Sequence, residues 1–137
     1  MGGHILLCRT ADLDDLCEKP PPSRWPVKLL PRFDALVLAT KDKSWLIEKA
    51  NYSKVWRPAA HVEAVLMVGG RIGSTWRYDR LARGLRVRIS PFAPLATTVA
   101  KAAEREAAAT ANFLGVDLAT CEIARSWPTT QNALSLR

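Results

Sequence analysis

The amino-acid sequence predicts an α+β domain, with a small antiparallel β-sheet followed by a C-terminal helix. Three features carry that prediction. Two runs of β-forming residues, Val62–Val68 and Arg71–Tyr78, flank Gly69-Gly70, and paired glycines accept the positive φ angles of a tight hairpin turn. A second turn at Arg83-Gly84 leads into Leu85-Arg86-Val87-Arg88-Ile89, whose strict alternation marks a strand with one apolar and one charged face. An alanine-rich stretch then places Val99, Ala103, Ala107, Thr110 and Leu114 along one helical stripe, with Gly115 where a C-terminal cap belongs.

The remaining elements follow in chain order. Residues 4–9 read as a short strand, and Thr10 or Asp12 can cap a helical turn that carries Leu13 and Leu16. Pro20-Pro21-Pro22 forces an extended connector. Val27–Pro31 is a second candidate strand. The run Ala35–Ala39 is too short for its periodicity to separate strand from helix. Residues 41–50 mix charges with Trp45, Leu46 and Ile47 and suit an exposed turn or short helix. Pro91 and Pro94 end the meander, and Thr97 or Thr98 can cap the long helix. A last strand spans about 118–125, and the tail from Pro128 is polar and expected to be loose. The organisation is therefore a lead-in over residues 1–26, a β-rich domain over 27–127 and a tail over 128–137.

With 137 residues and a hydrophobic fraction of 48%, the chain suits one folded domain. Cys8, Cys17 and Cys121 are odd in number and lack CxxC spacing, and His4 and His61 stand apart. No disulfide framework, metal site or cofactor is expected from them. No run approaches the length of a membrane span and no cleavable leader opens the chain, so a cytoplasmic protein without a membrane partner is expected. Nucleophile-elbow, P-loop and HExxH patterns are absent. Asp34 is the best single acid, but it has no partner acid or histidine nearby in sequence and suits a turn-bracing role. No catalytic residue is assigned.

The net charge of +7 makes nucleic-acid phosphates the partner that fits best. Arg71, Arg77, Arg80, Arg83, Arg86 and Arg88 face one acid, Asp79, within eighteen residues of the meander. The planar guanidinium fork suits phosphate oxygens and base edges. Trp76 and Tyr78 are interleaved and could stack on a base. These six arginines and Trp76 form the candidate nucleic-acid surface. The competing expectations are a solvated charged face and, for Trp76, a place in the core.

At this point the residues resemble a known family. Val27-Lys28-Leu29-Leu30-Pro31-Arg32-Phe33-Asp34, Lys41-Asp42-Lys43, Val55-Trp56-Arg57-Pro58, Gly70–Arg77 and Pro91-Phe92-Ala93-Pro94-Leu95 are similar, in order and spacing, to blocks of the bacterial winged-helix DNA-binding proteins related to interstrand-crosslink DNA glycosylases. Ser74 and Gly69 depart from the family pattern, which implies altered hairpin geometry. The resemblance implies a DNA-repair setting and double-stranded DNA as partner. It also implies that this chain matches the β-barrel-like C-terminal part, a small sheet or partial barrel, with a winged-helix wing remnant at His4–Leu16. The family's Gln-x-Gln or Gln-x-Asp pair has no match, because the one glutamine is Gln131 followed by Asn132. A DNA-binding module without that pair is thus expected. The alternative is a structural or interaction module, a truncated remnant whose apolar Ile5–Leu7 docks onto a partner supplying the winged helices.

Overall fold

The computed structural model describes residues 9–18, 25–39, 41–125 and 127. Nearly all of the expected strand at 4–9, the Pro20–Pro22 connector and the tail from Pro128 lie outside these residues. The chain enters through a 3₁₀ turn, Thr10–Asp12, and α1 (Leu13–Cys17). Neither Thr10 nor Asp12 caps them through its side chain; Asp12 is taken up by a two-point contact with Arg9 at 2.8 and 2.9 Å.

A five-stranded sheet forms the centre, in the order β1 (Lys28–Leu30), β4 (Val65–Val68), β5 (Arg71–Leu81), β6 (Gly84–Pro91), β7 (Leu118–Ile123). The pairs β1–β4, β4–β5 and β5–β6 are antiparallel, as expected. The pair β6–β7 is parallel, which corrects the all-antiparallel expectation. The cause is α4 (Thr97–Phe113), seventeen residues that return the chain beside the sheet. At 1.5 Å per residue the helix is roughly 25 Å long, close to the roughly 26 Å of the eight-residue β6, so the next strand begins level with the start of β6. Among the described residues the sheet is open, with β1 and β7 as its edges and no barrel closure. No winged-helix element is identified among them.

Two apolar clusters sandwich this sheet. Ala103, Ala107 and Ala111 are fully buried at i, i+4, i+8 spacing and seat α4 on Leu66, Trp76, Leu85, Val87 and Ile89. Their single methyl groups let the helix approach the sheet closely. On the opposite face Val37, Leu46, Ile47, Val55 and Val62 cover Val65, Met67 and Ile72. Val37 comes from α2 (Ala35–Leu38), Leu46 and Ile47 from the turn that follows, Val55 from α3 (Tyr52–Val55), and Val62 from the short hairpin of β2 (Trp56–Arg57) and β3 (His61–Val62). Residues 35–39 thus resolve as helix. Asp34 opens it by accepting the Leu36 N–H at 2.9 Å, the turn-bracing role its position suggests. Among the described residues no helix is long and apolar enough to cross a membrane.

Candidate nucleic-acid interface

Strand register decides where each arginine goes. Across β5 and β6, Arg77 stands opposite Arg88 and Asp79 opposite Arg86. Leu85, Val87 and Ile89 are buried under α4, so Arg86 and Arg88 project from the other face, as the alternation predicts. Arg77 shares that face. The small helices cover it only near β4 and the start of β5. Farther along the strands, Arg77 is exposed and Arg86 and Arg88 are partly so.

The other three arginines separate from this group. Arg80 points to the α4 side, where its Nη2 lies 3.5 Å from the Leu114 carbonyl. Arg83 sits exposed in the β5–β6 turn. Arg71 begins β5, six residues or roughly 20 Å of strand from Arg77, and lines a hollow with Lys43, Ile47, Glu48 and Tyr52. A bulge explains why parity does not extend to it. Pairing jumps from Leu66↔Ser74 to Met67↔Ile72, leaving Gly73 unpaired, so Ile72 and Trp76 fall into opposite clusters although both are even-numbered. The expectation of one ribbon face carrying all six arginines is therefore corrected: three share it.

Trp76 is also corrected. It is 5% exposed, packs under α4 and donates its indole N–H to the Leu30 carbonyl at 2.8 Å. A buried, hydrogen-bonded indole cannot stack on a base, so Trp76 holds β1 to β5 instead. Tyr78, 46% exposed, is the accessible ring beside it.

Each arginine of the open face meets a carboxylate. Arg88 donates to Asp79 at 2.7 Å and Arg77 to Glu63 at 2.8 Å, while Arg86 Nε lies 3.6 Å from Glu122. Glu63 is the residue that sequence reading missed. It is 2% exposed, and four cationic or ionisable side chains converge on it. Its Oε1 accepts from Arg77 Nη2 and lies 3.0 Å from Arg57 Nε, while Oε2 lies 3.7 Å from both Arg32 Nη2 and His61 Nε2. Oε2 has no hydrogen-bond partner. No local spacing could have revealed this group, which gathers residues from positions 32 to 77.

The backbone around Glu63 is strained. Phe33, Ala59 and Ala60 have φ of 59°, 59° and 56°, and they are the only non-glycine residues in the left-handed region among those described. Each such residue costs roughly 1–2 kcal/mol. Phe33 follows Arg32 and sets its ring edge against His61, centroids 5.9 Å apart. Ala59 and Ala60 form the turn that presents Arg57 and His61 from opposite strands.

Among the described residues no group of three or more His, Cys, Asp or Glu could hold a metal ion. Cys121 is half-buried beneath α4. Burial, and then the carboxylates of Glu104 and Glu122, push its thiol above the ordinary value.

The described residues thus present an open, arginine-bearing sheet face backed by α4 on its other side. The family model of the AlkZ-like DNA glycosylases matches residues 6–113, and the chain belongs to that family. Among solved structures, the Streptomyces sahachiroi DNA glycosylase AlkZ is similar, with a TM-score of 0.65 and 27% identity. That likeness covers 84% of this chain and 30% of the AlkZ chain. A comparison with curated proteins finds no match.

Proposed function

We propose that this chain is a DNA-binding module that follows the phosphate backbone of duplex DNA through its β5–β6 hairpin and the adjoining open face. The supporting observation is the register that brings Arg77, Arg86 and Arg88 onto one uncovered surface. Arg32 and Arg57 extend that surface through Glu63, and Arg83 lies exposed at the hairpin tip. A guanidinium has five N–H donors, and the nearby carboxylates engage only part of each fork. Five guanidinium groups face three carboxylates, Glu63, Asp79 and Glu122, which leaves a surplus of two positive charges. The DNA glycosylase named in the structural match supports DNA as the polyanion.

Contacts of this kind position a protein on DNA without reading sequence. Arg80 and Arg83 add two cationic groups at the hairpin end, and Arg71 serves as an outlying contact. The Gln-x-Gln pair is absent from this sequence, so the role proposed is binding. The test is the double substitution Arg86→Ala/Arg88→Ala, read by fluorescence anisotropy on several duplexes. Affinity should fall by roughly tenfold or more on every sequence alike. No change, or loss on one sequence only, would rule out this face.

A second function, as an interaction module, is favoured by a different observation. Phe33, Leu36, Leu38 and Trp45 are 43–52% exposed around α2, an apolar group suited to a protein contact. A chain that runs as a monomer in size-exclusion chromatography and melts cooperatively would count against it.

A further inference from the structure

We propose that the cluster around Glu63 is a seat for one phosphodiester group, with the buried carboxylate serving to aim arginines rather than to neutralise them. This rests on the DNA-binding role above and names the point where the open face grips the backbone.

Geometry comes first. Arg32 arrives from the loop after β1, Arg57 from β2, Arg77 from β5 and His61 from β3. One buried carboxylate needs one arginine to be paired, yet here three approach it. Arg57 and Arg77 share the same oxygen, and the other oxygen has only the two looser approaches at 3.7 Å. The guanidinium side chains remain 43–56% exposed, so their outward N–H edges reach solvent side by side. The three arginines exceed the carboxylate by two charges, enough to hold a phosphodiester monoanion with one charge to spare. Planar forks held at fixed orientation are the donors that suit two phosphate oxygens.

Backbone strain points to the same place. All three left-handed non-glycine residues among those described flank this cluster: Phe33 beside Arg32, and Ala59 and Ala60 between Arg57 and His61. Strain gathered at one locus marks a site whose shape the fold maintains against local preference.

Arg32 decides between the two roles. It is the loosest of the three arginines, at 3.7 Å and 48% exposed, so a purely structural hub barely needs it. The experiment measures affinity of the full chain for a labelled duplex between about 50 and 200 mM salt, for wild type, Arg32→Gln, Arg32→Lys and Arg105→Gln. Arg105 is exposed on α4, on the other side of the sheet, and controls for the loss of one charge.

Losing one phosphate contact should lower the log–log salt slope by about 0.9, so that the affinity drop across that range shrinks about 3.5-fold. Arg32→Gln should show this change and Arg105→Gln should not. Arg32→Lys should lie between wild type and Arg32→Gln, since it keeps the charge and loses the fork. At constant ionic strength, millimolar inorganic phosphate should compete with the duplex on wild type and lose that effect in Arg32→Gln. Equal slopes for Arg32→Gln and Arg105→Gln, while Arg86→Ala/Arg88→Ala still weakens binding, would overturn the seat and spare the DNA-binding role. Absence of duplex binding by wild type would remove both.

Discussion

Replacing Glu63 by glutamine should weaken the fold and loosen the arginines that the carboxylate aims. The carboxylate is 2% exposed and accepts a 2.8 Å bond from Arg77, with Arg57 Nε at 3.0 Å. A net bond to a charged group is worth about 1.5–3 kcal/mol. Both guanidinium groups are about half exposed, so water compensates part of that loss, and the amide oxygen keeps one weaker acceptor contact. The amide NH₂ would point at Arg32, which has no acceptor, and at the His61 ring, whose Nε2 lies 3.7 Å away and beyond hydrogen-bond reach. Together these put the loss at about 2 kcal/mol. With a urea m-value of about 2 kcal/mol per molar, the unfolding midpoint should fall by about 1 M, followed by tryptophan fluorescence. Duplex affinity should fall despite the added net positive charge, because Arg57 and Arg77 lose the carboxylate that orients them. A midpoint within about 0.2 M of wild type would refute the claim that Glu63 anchors these arginines.

Four other substitutions and one reaction test separate parts of the structure. Ala60→Gly relieves a left-handed φ of 56° and should stabilise by about 0.5–1 kcal/mol in urea unfolding. Trp76→Ala removes a buried indole from beneath α4 and should cost about 3–5 kcal/mol; Trp76→Phe keeps the ring but leaves the Leu30 carbonyl without its donor and should cost about 1–2 kcal/mol. Gly84→Ala would bring a Cβ to 2.5 Å from the Asp117 carbonyl at a φ of +93°, so its melting temperature should drop by several degrees. Cys17 is exposed, whereas burial and two carboxylates raise the Cys121 thiol pKa. A raised pKa means less thiolate at neutral pH, so alkylation mapped by mass spectrometry should reach Cys17 first, with Cys121 catching up as pH rises.

Much of the sheet was legible in the sequence because its signals are local. The glycine pair at 69–70 and the alternation from Leu85 to Ile89 each need fewer than ten residues to be recognised, and both appear as expected in β4, β5 and β6. The helix stripe was legible for the same reason, with Ala111 as its last fully buried position rather than Thr110. What escaped depends on distance or on a single irregular residue. The parallel pairing of β7 follows from matched helix and strand lengths, not from any property of residues 118–123. The bulge at Gly73 separates Arg71 from the arginines that its numbering parity would join. Glu63 reads in sequence as one acid beside a β-rich run, and its importance comes from partners that are 2 to 31 positions away. Trp76 was open to two interpretations, and burial settled it. The Arg86 and Arg88 face was legible, but the carboxylates opposite them were not, since Asp79 and Glu122 are brought there by strand pairing.

The most direct measurement is the salt dependence of duplex binding by the unmodified chain. After the carboxylates are counted, two to four cationic groups of the open face and hairpin end are available to displace counterions, which gives a log–log slope of about −2 to −4. Affinity should therefore fall by about 16- to 250-fold between about 50 and 200 mM salt, with little difference among DNA sequences. An affinity that stays level over that interval would contradict phosphate-backbone binding by these arginines.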